Sequence, residues 1–174
     1  DKILRKHKNL NFLVTGANGF IGSHLVDFLL EKENKVLASG RRSRQNIKLK
    51  TTQYVESVGN IDESSYIKHL VKESKPDVIV HLAAQSSPGA SLEDPASTLN
   101  TNTISTILLL DRVLKEKIRP RIILASSSAV YASSKPQLIK EDFELNPLSP
   151  YGVSKLLMEQ VASLYARQHD MDIV

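Results

Sequence analysis

Residues 15 to 22 read TGANGFIG, with Gly16, Gly19 and Gly22 at intervals of three. The apolar run FLVT, residues 12 to 15, leads into this stretch. Residues 20 to 33, FIGSHLVDFLLEKE, lead out of it, with apolar side chains at 21, 25, 28 and 29, a helical spacing. A short apolar run without polar alternation suits a strand buried on both faces, the habit of a parallel sheet. Glycine at the junction allows a turn too tight for a side chain and a close approach of helix to strand. A chain that joins strand to helix in this way is restricted to architectures in which helices pack over a sheet.

The pattern then repeats. KVLAS (35 to 39) and QYVES (53 to 57) read as strands, and residues 62 to 74 as a helix with Asp62 as its N-cap. DVIVHLA (77 to 83), after Pro76, is the strongest strand. Residues 96 to 117 read as one long helix, RIILAS (121 to 126) as a strand, residues 150 to 169 as a helix, and MDIV (171 to 174) as the start of another strand. The crossovers are long enough for parallel pairing. The expected fold is α/β, a doubly wound parallel sheet with helices on both faces. No internal boundary appears, so residues 1 to 174 form one domain, a length that allows a real core. Ligands on such sheets bind outside the carboxyl ends of the strands, and each motif discussed below falls at such an end. Residues 132 to 149 show no clear regular structure, which for a loop of that length points to function or mobility.

Composition narrows the function. There is no Cys, which excludes disulfides and thiolate metal sites. His7, His24, His69, His81 and His169 show no short metal-ligand spacing, which argues against zinc. The net charge of +4 draws on Lys2, Arg5, Lys6 and Lys8 and on RRSRQNIKLK at 41 to 50. No aromatic residues interleave with that second run, so nucleic acid is not an expected partner. No run approaches the ~18 apolar residues of a membrane span. LNFLV, after the basic start, is shorter than the ~7 to 15 residues of a signal-peptide core. The expected location is the cytoplasm.

The glycine turn has a specific chemical reading. Gly16 makes the tight turn, Gly19 lets the backbone approach a pyrophosphate, and Gly22 removes a side chain where helix meets sheet. The helix N-terminus then presents unpaired N–H groups and its positive dipole end to phosphate. A strand before the turn and a helix after it are the context this dinucleotide signature requires. Asn18, Phe20 and Ile21 complete the turn as cofactor contacts. An acidic residue at the end of the second strand would bind the adenosine 2′-hydroxyl and favour NAD(H). Gly40-Arg41-Arg42 stands there instead. Glycine leaves space and guanidinium groups suit a 2′-phosphate, which favours NADP(H) over NAD(H). The bland alternative is that both arginines point into water.

PYGVSK occupies residues 150 to 155. Ser149-Pro150 is a good helix entry, which places Tyr151 in the first turn and Lys155 one turn later on the same face. An isolated phenol titrates near ~10. A neighbouring ammonium and a helix N-terminus favour the phenolate, which can then move a proton at a carbinol or carbonyl. ASSSAVYA, residues 125 to 132, supplies three serines at a strand end, a source of the hydroxyl that fixes a substrate oxygen. A Tyr and Lys four apart are more often plain surface. Combined with the glycine turn and the serines, they point to chemistry.

TGANGFIGSHL (15 to 25), HLAA (81 to 84), SSSAVY (126 to 131) and PYGVSK (150 to 155) together resemble the extended short-chain dehydrogenase/reductase family, the nucleotide-sugar epimerases, dehydratases and reductases. The resemblance runs over essentially the whole chain. It implies a Rossmann-like fold. It also implies Ser127 as the catalytic hydroxyl, Tyr151 as the acid/base, and Lys155 as the lysine that holds the nicotinamide ribose and assists the tyrosine. Leu82, Ala83 and Ala84 match residues beside the cofactor. Asn102 matches a helix asparagine, although Ser105 stands where the family has glycine. Asn60-Ile61 stands where the family has an Asp-Ile contact to adenine. The implied partners are a nucleotide-diphosphate sugar and a second copy of the chain, joined through the helices near 96 to 117 and 150 to 169. In the family a smaller region that holds the sugar follows the strand that MDIV begins. The chain is therefore expected to be a fragment, truncated before that C-terminal substrate region and, with Asp as its first residue, clipped at its start as well.

Three chemistries compete within the resemblance. The dehydratases place acidic residues directly after the catalytic hydroxyl, whereas Ser128 and Ala129 follow Ser127 here. Glu141 and Asp142 lie in the loop. Dehydration is therefore disfavoured. A 4-epimerase usually keeps NAD, so Gly40-Arg41-Arg42 tips the balance to a 4-keto reductase. KPDVIVHLAAQSS, ELNPLSPYGVSK and HDMDIV look most like GDP-6-deoxy-mannose reductases. The expected reaction is reduction of a nucleotide-linked 4-keto-6-deoxy sugar. The alternatives are a 4-epimerase of the UDP-glucose or UDP-GlcNAc type and a catalytically silent cofactor-binding relative.

Overall fold

In a computed structural model of the chain, the described residues are 9–44, 51–131 and 138–174. The basic start with His7, the basic residues between 45 and 50, and residues 132–137 of the long loop lie outside the described residues. Five strands form one sheet: β1 (Asn11–Thr15), β2 (Lys35–Gly40), β3 (Tyr54–Val58), β4 (Val78–His81) and β5 (Arg121–Leu124). The order is β3-β2-β1-β4-β5 and every pair is parallel. A parallel bridge from Ile122 to Ile173 sets the chain's last residues beside β5, where MDIV was expected to begin a strand. The strand order reverses between β1 and β4, so the crevice for a ligand opens at their carboxyl ends.

Alternation along the strands builds two cores. Leu13 of β1 meets Leu37, Ile79 and Ile122 on one face. Val14 meets Val36, Ala38 and Val80 on the other. Helix α1 (Phe20–Glu31) covers the second face with Val26, Leu29 and Leu30. Helices α2 (Ser64–Ser74) and α5 (Ser105–Lys115) cover the first with Ile67, Leu70, Val71, Leu109, Leu110 and Val113. Each such side chain, fully buried, contributes about 1.5–3 kcal/mol. Helix α6 (Pro150–His169) packs against α5, and the Tyr165 hydroxyl donates to the Asp111 carboxylate at 2.6 Å. Burial and that carboxylate push Tyr165 up to about 12.

The helix expected over 96 to 117 runs without a break from Pro95 to Lys115, as α4 (Pro95–Leu99), a π-helical turn (Asn100–Ile104) and α5, with a further short helix, α3 (Pro88–Glu93), ahead of it. Ser87 and Asp94 cap α3 and α4 by accepting from the Ala90 and Ser97 amides at 3.2 and 2.9 Å, each with proline at the helix start. Asp62 is not the cap of α2. The helix starts at Ser64, and the Asp62 carboxylate instead accepts from the Thr101 hydroxyl at 3.1 Å. A long-range partner on the π-helical turn has taken the group that local sequence assigned to the helix end.

Candidate active site

The glycine turn sits at the switch point. Gly16 has φ +66°, the left-handed region, and a Cβ there would stand 2.7 Å from the Ala83 nitrogen and the Leu82 carbonyl carbon. The turn after β1 therefore rests on the backbone that leaves β4. The Ala83 amide donates to Thr15 Oγ1 at 3.2 Å and the Leu82 amide to the Thr15 carbonyl at 3.2 Å. Gly22 is buried against the turn itself, where a Cβ would lie 2.8 Å from the Ala17 Cα and run into the Gly16 carbonyl. Gly19 is exposed at the N-cap of α1, with no side-chain cap and no acid in the first turn. Phe20 and Ile21 are 85% and 65% exposed. The amide end of α1 is thus open to an anion, which fits the diphosphate of a dinucleotide.

The adenosine end is more structured than the sequence indicates. Gly40 packs on the Asn18 side chain, which a Cβ would approach to 2.7 Å, and Asn18 Nδ2 donates to the Arg42 carbonyl. Arg41 and Arg42 are exposed at the end of β2. Asn60 is exposed and its Oδ1 accepts from the Asp62 amide at 3.2 Å. Ile61, expected beside adenine, is buried in the core with Leu37 and Ile67, so only its main chain is left for a ligand.

Ser127, Tyr151 and Lys155, the candidate acid/base set, lie about the turn that follows β5. Ser127 Oγ accepts from the Ala129 amide at 3.1 Å and caps a 3₁₀ turn, Ser128–Val130. Gly152 lies against that turn, where a Cβ would run into the Ala129 carbonyl and stand 2.8 Å from Pro147 Cβ. Ser149 Oγ accepts from the Gly152 amide at 3.1 Å, with Pro150 in the first helical position. The first turn of α6, carrying buried Tyr151, is thereby seated on the turn that follows Ser127. Lys155 is buried and donates from Nζ to the Ala125 carbonyl at 2.9 Å, and burial lowers its pKa. Ser126 donates to the Glu159 carboxylate, and Ser128 is exposed.

Asn102, expected as a cofactor contact, is 1% exposed, and its side-chain amide is taken up by the protein. Oδ1 accepts from the Gln85 amide at 2.8 Å, and Nδ2 donates to the Gln85 carbonyl at 3.0 Å and to Ser154 Oγ at 2.9 Å. Ser154 Oγ donates to the Tyr151 carbonyl at 2.7 Å, and Thr103 Oγ1 donates to the Ser154 carbonyl at 2.9 Å. The π-helical turn places Asn102 and Thr103 against α6. Gly152, Ser154 and Thr103 pack or hydrogen-bond against the candidate residues and were not singled out from the sequence. Nor was His81, whose Nδ1 lies 2.8 Å from Thr15 Oγ1. Burial, and then the Lys155 charge, push His81 down to about 4, so it is neutral near pH 7. Its place at the end of the strongest strand was the available signal.

Among the described residues there is no group of three or more His, Cys, Asp or Glu placed to hold a metal, and no helix long and apolar enough to cross a membrane. The family model described as GDP-mannose 4,6 dehydratase matches residues 13–174. The chain belongs to this dehydratase family. A curated relative of this family member is the UDP-glucose 4-epimerase of Mycolicibacterium smegmatis, 33% identical over 174 residues, covering 92% of this chain and 52% of the relative. Another is the dTDP-glucose 4,6-dehydratase of Streptomyces antibioticus, 30% identical over 179 residues, covering 94% and 51%. The structure of MoeE5 in complex with UDP-glucuronic acid and NAD is 32% identical, with TM-score 0.82, covering 94% of this chain and 52% of that one. The chain spans about half the length of the curated relatives it matches. These names support the epimerase/dehydratase family and include UDP-glucose 4-epimerases, not specifically the GDP-6-deoxy-mannose reductase that the sequence motifs suggest.

Proposed function

We propose that this chain supplies the cofactor and proton-transfer half of a nucleotide-sugar 4-epimerase. The observation that carries the reading is the seating of Tyr151 and Lys155 on the turn after Ser127, with no carboxylate directly following that serine. The UDP-glucose 4-epimerase names among the relatives support epimerase over reductase. A nicotinamide dinucleotide, when bound, accepts and returns a hydride. The exposed amides at Gly19 and the start of α1 would hold its diphosphate. Tyr151 takes the proton of the sugar 4-hydroxyl and later gives it back, while Ser127 hydrogen-bonds the same oxygen. Lys155, anchored to Ala125, holds the ribose beside the tyrosine. The substrate is a nucleotide-diphosphate sugar, and the other partner is a second copy of the chain.

A second reading is supported by Gly40 and the exposed Arg41 and Arg42, which suit NADP(H) and hence a 4-keto reductase. The full-length protein separates the two. An epimerase converts UDP-glucose or UDP-GlcNAc to its 4-epimer without net change in NAD(P)H absorbance. A reductase oxidises one NADPH per 4-keto sugar and makes no epimer. Tyr151→Phe should lower turnover by about 10²–10⁴-fold, the usual share of a general acid/base, with dinucleotide affinity nearly unchanged. Near-normal turnover in that variant would refute the assignment.

A further inference from the structure

We propose that Arg44 is a positioning residue for cofactor selection, a buried latch that fixes the loop carrying Arg41 and Arg42. The proposal rests on the second reading above, in which Gly40, Arg41 and Arg42 accept the 2′-phosphate of NADP(H). Three arginines lie within four residues after β2, and they are used differently. Arg41 and Arg42 are exposed. Arg44 turns inward, with Nη2 2.8 Å from Asp27 Oδ2 on α1 and side chains 10% and 11% exposed. Its amide donates to Glu56 Oε1 at 2.6 Å, and Ser43 Oγ donates to Glu56 Oε2 at 2.5 Å. Tyr54 donates to the same carboxylate at 3.3 Å. Burial alone would raise the Glu56 pKa, but these hydrogen bonds outweigh it and hold the group below its ordinary value.

The loop is therefore tied to three elements. Asp27 holds it to α1, Glu56 holds it to β3, and Asn18 of the glycine turn donates to the Arg42 carbonyl. Asp27 Oδ1 and Arg44 Nη1 are buried without a hydrogen-bond partner. A buried ion pair left half-satisfied adds little net stability, and fixing a register is its best-attested use. Here the register is that of two neighbouring guanidinium groups. With Gly40 held in the sheet and Arg44 held to α1 and β3, the span between them has little freedom. Arg41 and Arg42 stay at the carboxyl end of β2 beside the phosphate-binding turn, preorganised for an adenosine 2′-phosphate. A latch of this kind acts on the phosphorylated ligand far more than on the unphosphorylated one.

The test titrates the full-length protein with NADPH and with NADH. Arg44→Met removes the charge and keeps the stem. The double variant Asp27→Leu with Arg44→Met removes the whole pair without stranding a buried carboxylate. Glu56→Gln loosens the β3 tie and spares the ion pair. All three should lower NADPH affinity about tenfold while NADH changes by less than about threefold, with faster amide exchange at Ser43 and Arg44. A structural defect alone would weaken both ligands alike and overturn the proposal, as would an unchanged NADPH affinity in the double variant. Loss of NADPH binding with amide exchange unmoved would make Arg44 a direct phosphate ligand and also overturn it. Arg41→Ala with Arg42→Ala is the control. If that pair leaves the NADPH:NADH ratio unmoved, the 2′-phosphate reading fails and the latch with it. If it moves the ratio and the Arg44 variants do not, the latch alone fails.

Discussion

His81 shows how one buried side chain can set a pH limit on the whole protein. Its Nδ1 meets Thr15, its Nε2 is buried without a hydrogen-bond partner, and the Lys155 charge bears on it. The unfolded chain takes up a proton at this histidine near 6.5, whereas the folded chain resists until about 4. Between those values the unfolded state binds more protons, so stability rises with pH and is lost as pH falls through the window. At about 1.4 kcal/mol per pH unit, the loss approaches ~3 kcal/mol at its lower end. The melting temperature should therefore fall steadily from pH 7 to pH 4.5. His81→Asn can still pair with Thr15 and has nothing to titrate, so its decline should be clearly shallower. A slope equal to the parent's would show that other groups set the limit.

At the level of elements, the candidate site depends on how closely α6 approaches the turn after β5. Gly152 makes that approach possible, because a Cβ there meets the Ala129 carbonyl and Pro147. Gly152→Ala should cost about 1–3 kcal/mol from overpacking. It should also displace Tyr151 from Ser127, and a shift near ~1 Å can cost about 10²-fold in turnover. Dinucleotide affinity should fall less than turnover, since the glycine turn lies on other elements and only the Lys155 contact shares the displaced helix. Turnover within about threefold of the parent's would mean that the helix adjusts without moving the tyrosine. The entry to α6 was legible because Ser149 and Pro150 mark a helix start locally. Ser87-Pro88 and Asp94-Pro95 carry the same mark, and reading them would have added α3 and fixed the start of α4 at Pro95. The π-helical turn was not legible. It depends on Asn102 reaching Gln85 and Ser154, which lie 17 and 52 residues away in sequence. The strands were legible because each apolar run ends at glycine, proline or a polar cluster. The ties of Arg44 to Asp27 and Glu56 were not, since nothing local distinguishes Arg44 from its two neighbours.

On the scale of the whole molecule, α6 has two working faces. Tyr151, Ser154, Lys155, Met158 and Ala162 are buried toward the site and the neighbouring helices. Val153, Leu157 and Leu164 are exposed at spacings of four and seven, a single outward stripe. Ile104 of the π-helical turn is exposed as well. An apolar stripe on a helix whose other face is already packed is the surface on which the proposed second copy would dock, related by a two-fold axis. Such a contact would brace α6 from behind and so steady Tyr151 and Lys155. Light scattering on the full-length protein should give a dimer mass at micromolar concentration. Leu157→Glu with Leu164→Glu sets like charges against each other across the axis and should give a monomer whose glycine turn still binds dinucleotide. A monomer mass for the parent, or a dimer that survives both substitutions, would rule out this face as the contact. If the monomeric variant also turns over more slowly at unchanged dinucleotide affinity, the outer stripe of α6 holds the proton-transfer pair in place from the side opposite the substrate.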